Sequence, residues 1–273
     1  MNPICSRVFI LGLDGAGNFV READTPHLDS IFSRGAVTYD GKCAFPSISG
    51  QCWGSLFHGV GPEKHGLTND VVSSRPYPED SPFPSFMKLA REAWPGASLA
   101  SFSGWGPINA GIIERSAGCH LVSRPDALLV PEIVEYIRTE GKAIKLLFVQ
   151  LDAPDGAGHS YGYGTERQLD AIRTADAQIG AILGAIEDAD LMDDSLIISC
   201  SDHGGGGANP NSHGSDHPMD MTIYWGCAGP GIAAGTEIAG EFRLMDTAAV
   251  VARALGLKAP AAWEARVPDG LFA

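Results

Sequence analysis

Three apolar runs, each followed directly by an acidic residue, constrain the fold of this chain most. They are "RVFILGL" (7–13), "IKLLFVQL" (144–151) and "SLIISCS" (195–201). Unbroken apolar runs of this length are typical of strands that are buried on both faces of a parallel sheet. Asp14, Asp152 and Asp202 come immediately after the three runs. Because ligands gather at the carboxyl ends of parallel strands, the sequence predicts a functional site where these acids meet.

Helical patterns separate the predicted strands. The clearest covers residues 165–187, where five aliphatic side chains recur on one face: Leu169, Ile172, Ile179, Leu183 and Ile186. Further helices are predicted at 84–94 and 131–141, and Thr25 is predicted to cap a helix that has Pro26 in its first turn. Strands that alternate with helices predict an α/β protein with a mostly parallel central sheet.

The charge and the cysteines limit the partners and the location of the protein. The 273 residues carry a formal net charge of −14, which argues against a nucleic-acid polymer or an anionic membrane as partner. A small anionic substrate is compatible with this charge, since bound cations invert the local field. None of the six cysteines forms a CxxC pair, and the first apolar run is too short and too acid-terminated for a signal peptide. We therefore expect a reduced, cytoplasmic protein.

Histidines accompany the carboxylates that follow the predicted strands. The residues concerned are Asp14, Asp155, His159, Asp202 and His203, together with His213 and His217 from "NSHGSDH". Carboxylate oxygens and imidazole nitrogens are typical zinc ligands. Ordinary alternatives exist for each part, such as Asp14 as a helix cap or a hydrogen bond between Asp155 and His159. Converging carboxylates repel one another unless cations neutralise them, so the combination predicts a metal site.

The segment "CAFPSISGQCWGSLFHG" (43–59) supplies a candidate for the reacting group. Pro46 ends an extended piece and a helix is predicted to start near Ser49, which places Ser47 or Ser49 at its N-terminus. The free N–H groups and the helix dipole favour an anion and an ionised oxygen there. A serine hydroxyl becomes an effective nucleophile when a base or a metal activates it. The alternative is an ordinary serine N-cap.

In this order, the segments resemble the nucleotide pyrophosphatase/phosphodiesterase branch of the alkaline phosphatase superfamily. The matching segments are "ILGLDG", "TPHLDSIFSRGA", "FPSISGQCWGSLFHGVGPEKHG", "DAPDGAGHSYG", "SDHG" and "SHGSD". The resemblance implies an alkaline-phosphatase-like three-layer αβα sandwich. Residues 1–273 would then be a single metal-dependent hydrolase domain, with a small substrate-covering segment around 71–125. It also implies two divalent metal ions, zinc in the first instance and manganese as the alternative.

The resemblance further implies a role for each matching residue. Asp14, Ser49, Asp202 and His203 would hold one metal ion, with Ser49 as the nucleophile. Asp155, His159 and His213 would hold the other. The distance to the "HG" at His65 favours Ser49 over Ser47, and "HG" followed by Asp favours His213 over His217.

The family's phosphate-binding asparagine falls within "HGLTND". Asp70 lies at the strict offset, but an anionic residue there would repel phosphate, so we assign the role to Asn69. The diesterases of this branch usually carry Thr where Ser49 stands, and "SGQCW" replaces their "TFPNH". Four aromatic residues either form a substrate pocket or pack internally: Trp53, Phe57, Trp105 and Tyr161.

The absence of basic residues near the candidate nucleophile narrows the range of expected substrates. No Lys or Arg lies between Ser47 and Pro62, whereas phosphomonoesterases need cationic help for a dianionic substrate. The sulfatase pattern C/S-x-P-x-R is absent as well. We therefore expect hydrolysis of a phosphodiester or pyrophosphate bond in a small phosphate-containing substrate, through a phosphoserine intermediate. Phosphonate (C–P) and phosphomonoester hydrolysis are the alternatives, followed by a phosphomutase or an inactive metal-binding homologue.

Overall fold

The computed structural model describes residues 2–238 and 240–273. The described strands are β1 (Arg7–Leu13), β2 (Ala36–Lys42), β3 (Ser98–Ser103), β4 (His120–Ser123), β5 (Ile144–Leu151), β6 (Ser195–Ser201), β7 (Thr222–Ala228) and β8 (Thr236–Glu237). The described helices are α1 (Pro26–Phe32), α2 (Ser49–His58), α3 (Pro62–His65), α4 (Asn69–Ser74), α5 (Phe86–Ala93), α6 (Asp126–Glu140), α7 (Ala153–Tyr161), α8 (Glu166–Asp188), α9 (Pro218–Met221) and α10 (Asp246–Leu255). None of these helices is both long enough and apolar enough to cross a membrane.

The central sheet is mostly parallel, as predicted. Its strand order is β4-β3-β5-β1-β6-β7-β2-β8, and β7 runs antiparallel to both of its neighbours. The three apolar runs became β1, β5 and β6 with the predicted bounds, and all three are adjacent. In the register of the sheet, Leu13 pairs with Leu151 on one side and with Ser201 on the other. The carboxyl ends of the three strands therefore lie side by side.

Helices cover both faces of the sheet, which confirms the three-layer αβα prediction. Val8 and Ile10 of β1 join one apolar core with residues of α2, α5 and α10. Phe9 and Leu11 of the same strand join a second core with α1, α6 and α8. Side chains of a strand alternate between faces, so one apolar run fills both cores. This double burial fixes the strand positions, and with them the edge that carries the acids.

Helix α6 corrects one predicted boundary. The helix expected at 131–141 begins at Asp126, so Pro131 lies inside it rather than in its first turn. Leu129 and Val130 are buried in the second core, and their burial favours extending the helix through the proline. Pro131 removes one backbone N–H donor from the helix, a cost that this packing offsets.

The start of α1 corrects a predicted cap. Thr25 stands at the N-cap position, but its side chain makes no capping hydrogen bond. Asp176 of α8 accepts hydrogen bonds from the backbone N–H groups of His27 (3.2 Å) and Leu28 (2.8 Å) instead. A carboxylate that offers two oxygens satisfies two of the free N–H groups at once. The cap therefore comes from a distant helix, which local sequence rules do not anticipate.

Part of the segment 71–125 belongs to the sandwich itself. It contains α5 in one helical layer and strands β3 and β4 at one side of the sheet. A substrate-covering role for the remainder stays a prediction.

Candidate active site

Three carboxylates reach the same point from neighbouring strand ends. Asp14 follows β1, Asp202 follows β6, and Asp155 lies in the first turn of α7, which follows β5. Gly15 sits between them with φ +63°, and a Cβ on it would lie 2.6 Å from Asp155 Oδ1. Only glycine fits this left-handed turn against another ligand-type side chain. The glycine of "LDG" therefore permits Asp14 and Asp155 to approach.

Helix α7 explains the spacing of Asp155 and His159. Residues four apart lie on one face of a helix, and His159 Nε2 is 3.3 Å from Asp155 Oδ2. The first turn of the helix is held from outside: Asp126 accepts hydrogen bonds from the backbone N–H groups of Asp152 (3.0 Å) and Ala153 (2.8 Å). The β5–α7 turn thus delivers a carboxylate and an imidazole as one unit.

Ser49 is the first residue of α2, as predicted. Its Oγ lies 3.1 Å from His203 Nε2 and 3.5 Å from Asp14 Oδ1. Ser47 faces elsewhere: its hydroxyl donates to Ser215 O at 2.8 Å and is fully buried. This placement supports Ser49 over Ser47 as the reacting serine.

The four residues assigned to one metal ion lie together. His203 Nε2 is 3.4 Å from Asp14 Oδ1 and 3.4 Å from Asp202 Oδ2, close to the Ser49 hydroxyl. The His203 Nδ1 faces Gly204 O at 2.8 Å. Because that carbonyl accepts a hydrogen bond from the Nδ1–H, the ring presents Nε2 as a free nitrogen toward the carboxylates.

The three residues assigned to the other ion also lie together. His213 Nε2 is 3.8 Å from Asp155 Oδ1, and one ligand atom each from Asp155, His159 and His213 fall within 4.8 Å of one another. His213 Nδ1 faces Ser47 O at 2.6 Å, which again leaves Nε2 free. The rings of His203 and His213 stack at a centroid distance of 3.9 Å. The two sets are therefore neighbours in one site.

The residues present fit divalent metal ions. Asp202 Oδ1 accepts a hydrogen bond from the backbone N–H of Gly15, but its Oδ2 is buried and has no hydrogen-bond partner among the described residues. A buried carboxylate oxygen without a partner is costly, and a cation removes that cost. Carboxylates and imidazoles in this combination are the donor set of zinc sites.

The protonation states show the same need for cations. Burial raises the pKa of Asp14 and of Asp202 well above the usual range, and the neighbouring carboxylates raise both further. Burial also disfavours the charge of Asp155, but its hydrogen bond with His159 and the nearby imidazoles outweigh this and lower its pKa. The hydrogen bond to Asp155 raises the pKa of His159 to about 9, whereas burial lowers the pKa of His213 to about 4. Bound cations would favour the ionised carboxylates.

Asn69 lies beside the nucleophile. Its Oδ1 accepts a hydrogen bond from the backbone N–H of Gly50 at 2.8 Å, next to Ser49. Asp70 is exposed. His217, the alternative to His213, caps α9 by accepting from Met219 N at 3.2 Å. These placements support Asn69 over Asp70 and His213 over His217.

Two of the four candidate pocket aromatics pack internally. Trp53 and Phe57 are fully buried, Trp105 is half-buried and Tyr161 is exposed. The indole N–H of Trp53 donates to Asp14 Oδ2 at 2.9 Å, a contact that we did not predict. Its position four residues after Ser49 on one helix face was the available signal.

Two further contacts to ligand-type carboxylates were also missed. Gln150 Nε2 donates to Asp14 Oδ2 at 2.8 Å, and the phenol of Tyr163 donates to Asp155 Oδ1 at 2.5 Å. Gln150 is the buried polar residue of β5, which also contains the part-buried Lys145, and a polar residue inside an apolar run was a usable signal. Tyr163 follows an exposed tyrosine in "SYGYG", and nothing in the sequence distinguishes the two.

The model of the type I phosphodiesterase/nucleotide pyrophosphatase family matches residues 91–253, more than half of the chain. The chain belongs to this family. The matched range contains Asp155, His159, Asp202, His203 and His213. Asp14, Ser49 and Asn69 precede it.

Curated relatives agree with this membership of the phosphodiesterase family. Ectonucleotide pyrophosphatase/phosphodiesterase family member 7 of mouse is 21% identical over 220 residues, and the rat protein gives the same identity. The match covers 72% of this chain and 49% of the mouse protein. The chain therefore spans about half the length of the curated relatives it matches.

Solved structures share the fold. Murine ectonucleotide pyrophosphatase/phosphodiesterase 5 superposes with a TM-score of 0.72 at 15% identity, covering 93% of this chain and 96% of that one. A 2-O GAG sulfatase superposes with a TM-score of 0.77 at 13% identity, covering 96% and 73%. The alkaline-phosphatase-like architecture is thus common to solved structures whose names describe different activities.

Proposed function

We propose that this phosphodiesterase-family chain hydrolyses phosphodiester or pyrophosphate bonds with two metal ions and a phosphoserine intermediate on Ser49. One observation carries the proposal. The Ser49 hydroxyl lies at a helix N-terminus, 3.1 Å from His203 Nε2 and 3.5 Å from Asp14 Oδ1, beside a second set of ligand-type residues. A hydroxyl in that position is surrounded by the groups that a nucleophile needs.

The proposed metal sites use the residues assigned above. Asp14, Ser49, Asp202 and His203 would hold one ion, and Asp155, His159 and His213 the other; zinc is the first candidate and manganese the alternative. When bound, two such ions would favour the ionised serine oxygen, polarise the phosphoryl oxygens and activate a water.

The proposed reaction has two steps, and residues of α2 and Asn69 contribute to the first. The Ser49 oxygen forms a bond to phosphorus, and the bond from phosphorus to the leaving oxygen breaks on the opposite side. The N-terminus of α2 favours the negative phosphoryl group at this place. Asn69 Oδ1 is occupied by the Gly50 N–H, so its amide N–H groups are available to a phosphoryl oxygen. Water then attacks the phosphoserine and regenerates Ser49.

The charges around the site support a substrate with a single negative charge at phosphorus. Among the described residues, no Lys or Arg forms an ion pair or hydrogen bond with Asp14, Asp155 or Asp202. A dianionic monoester would lack cationic side chains to balance its second charge. An inactive variant of the murine family member 5 was solved in complex with AMP, which supports a small phosphate-containing ligand here.

The remaining partner and location proposals rest on charge and cysteines. The net charge of −14 supports a small substrate rather than a nucleic-acid polymer or an anionic membrane. All six cysteines are free thiols, which supports a reducing, cytoplasmic location.

The first test compares hydrolysis of bis-p-nitrophenyl phosphate with hydrolysis of p-nitrophenyl phosphate by zinc-loaded and manganese-loaded protein. We expect a clear preference for the diester. A preference for the monoester would refute the argument from missing cations. Two bound ions without activity on either compound would direct the search to phosphonates.

Replacing the nucleophile gives a second test. Ser49→Ala is expected to abolish diester turnover while the protein still binds two ions, because the other six ligand-type side chains remain. Ser47→Ala is the matched control, since Ser47 is a buried serine in the same segment whose hydroxyl contacts Ser215 O and the backbone N–H of Gly214 rather than Asp14 or His203. Turnover near wild type in Ser49→Ala would disprove the assignment. Mass spectrometry of acid-quenched protein should detect the phosphoserine on Ser49.

A further inference from the structure

Tyr163 contacts all three members of the second ligand set. Its phenol O–H donates to Asp155 Oδ1 at 2.5 Å. Its ring meets the His159 ring edge to face at a centroid distance of 5.7 Å and the His213 ring at 6.1 Å. We propose that Tyr163 is a positioning residue that fixes Asp155, His159 and His213 for a metal ion. The proposal rests on the proposed function, because it assumes an ion at this set.

The hydrogen bond selects which oxygen of Asp155 stays available. Oδ1 accepts the hydrogen bond of the phenol, whereas Oδ2 faces His159 Nε2 at 3.3 Å. A carboxylate without such a partner rotates about its terminal bond, which has a broad torsional minimum. Outer partners of this kind orient ligating carboxylates in metal sites. The phenol of Tyr163 therefore restricts the rotation of the Asp155 carboxylate before an ion binds, so that ion binding loses less side-chain entropy.

The glycine run after Asp202 and His203 leaves space for the side chain of Tyr163. A Cβ on Gly205 or Gly206 would lie 2.6 or 2.9 Å from atoms of Tyr163, and a Cβ on Gly158 of α7 would lie 2.5 Å from the ring. Real Cβ atoms do not approach so closely, since packed atoms repel below van der Waals contact. The run "GGGG" thus has a use that the proposed catalytic steps leave unexplained: it makes room for an aromatic side chain against the ligand set.

Tyr163 is itself held in place. It is 6% exposed, and its backbone N–H donates to Pro210 O at 2.9 Å, within the loop that carries His213. The next residue, Gly164, donates to Gln168 Oε1 of α8 at 2.5 Å. The ring therefore ties α7 to the His213 loop, and a rigid support of this kind is what a precise ligand geometry requires.

Tyr161 provides a matched control. It lies two residues earlier at the end of α7, its side chain is 62% exposed, and its phenol makes no hydrogen bond to the described residues. Tyr161→Phe and Tyr163→Phe remove the same atom from the same segment. A difference between the two variants therefore reports the contact with Asp155.

The experiment titrates metal-free protein with Co²⁺, following d–d absorption and heat, with His203→Gln and His213→Gln to assign the two binding steps. For Tyr163→Phe we expect about a 10- to 100-fold weaker second site, the usual effect of losing an outer partner, with the first site changed less than about twofold. Tyr161→Phe should match the wild type. Gly205→Ala keeps the phenol but displaces the ring, and it should weaken the same site even if Tyr163→Phe fails to fold.

Three results would overturn the proposal, and they can be told apart. Unchanged second-site affinity in both Tyr163→Phe and Gly205→Ala refutes the positioning role alone. Equal weakening of both sites, with a matching fall in the melting temperature of the metal-free protein, shows a merely structural role. Wild-type protein that binds no Co²⁺ refutes this inference together with the proposed function.

Discussion

At the residue scale, Asp14 is oriented in the same way as Asp155, by hydrogen bonds from uncharged side chains to one of its oxygens. Its Oδ2 accepts hydrogen bonds from Trp53 Nε1 and Gln150 Nε2, at 2.9 and 2.8 Å. Its Oδ1 is left facing His203 Nε2. In both Asp14 and Asp155, one oxygen accepts hydrogen bonds from uncharged side chains, and the other oxygen faces a histidine of the site. Because both donors are buried side chains, the packing of the core fixes the orientation of the Asp14 carboxylate.

Replacing Trp53 by Phe removes the indole N–H together with part of a fully buried ring. Trp53→Phe should weaken metal binding at the Asp14 set about 10- to 100-fold and lower diester turnover, because Asp14 loses one of its two orienting donors. Co²⁺ titration and steady-state kinetics measure both effects. Trp225→Phe is the control, since Trp225 is equally buried and its N–H donates to Thr247 Oγ1 at 3.1 Å, away from the ligand sets.

The two variants should lose similar stability but differ in metal binding. Both delete a buried ring segment and one hydrogen bond, which costs on the order of 1–3 kcal/mol. If Trp225→Phe weakens Co²⁺ binding as much as Trp53→Phe does, general destabilisation explains the effect and the orienting role of Trp53 is refuted.

At the element scale, helix α7 depends on a cap from another helix. Asp126, the first residue of α6, uses both carboxylate oxygens to accept from the first N–H groups of α7. Asp126→Asn replaces one acceptor oxygen with an N–H donor that faces a backbone N–H. We expect a loss of about 1–2 kcal/mol in the unfolding free energy, as for a lost helix cap. Urea unfolding of metal-free protein measures it.

The control for this prediction lies on α8. Asp170 is an exposed aspartate whose side chain pairs with Arg173 in solvent, so Asp170→Asn should leave the urea midpoint nearly unchanged. The cap of α7 would be unimportant if both variants unfolded at the same midpoint as the wild type.

The helix ends show where sequence reasoning succeeds and where it stops. Strands β1, β5 and β6 and helix α8 were predicted nearly residue for residue, because hydrophobic periodicity is a local signal that burial then enforces. The caps supplied by Asp126 and Asp176 join residues far apart in the chain, and so do the donors to Asp14 and Asp155. Only the assembled fold creates those contacts, so the position of the candidate ligand residues at the strand ends could be predicted, whereas most of their supporting contacts could not.

At the scale of the whole molecule, the fold leaves the chemistry open. The same sandwich occurs in a phosphodiesterase-family member and in a 2-O GAG sulfatase. Function therefore depends on the side chains placed at the strand ends. Here those side chains are mostly acidic, no lysine or arginine follows Ser49 before Lys64, and the chain carries a net charge of −14. The site therefore brings together carboxylates that repel one another, and the proposed cations would offset that repulsion.

This arrangement predicts that Asp202 lowers the stability of the metal-free protein and raises the stability of the metal-bound protein. Its Oδ2 is buried and makes no hydrogen bond within the part of the chain that the structure describes, and burial and the neighbouring Asp155 raise its pKa. With chelator at pH 8, Asp202→Asn should be more stable than the wild type by on the order of 1–3 kcal/mol, because a costly buried group is removed. With free zinc at 100 times its Kd, the wild type should gain about 2.7 kcal/mol per site, and the variant should gain less.

The pH dependence follows from the direction of the shift. A carboxyl whose pKa is higher in the folded protein holds its proton there while the unfolded chain has released it, so the penalty grows as pH rises above about 3.9. The advantage of Asp202→Asn should therefore shrink as pH falls toward 4. Asp176→Asn is the control: Asp176 is also buried, but both of its oxygens accept hydrogen bonds, so its loss should destabilise the protein with or without zinc. If Asp202→Asn were destabilised like this control in metal-free protein, then Asp202 would stabilise the fold, and the cost proposed for its buried Oδ2 would be refuted.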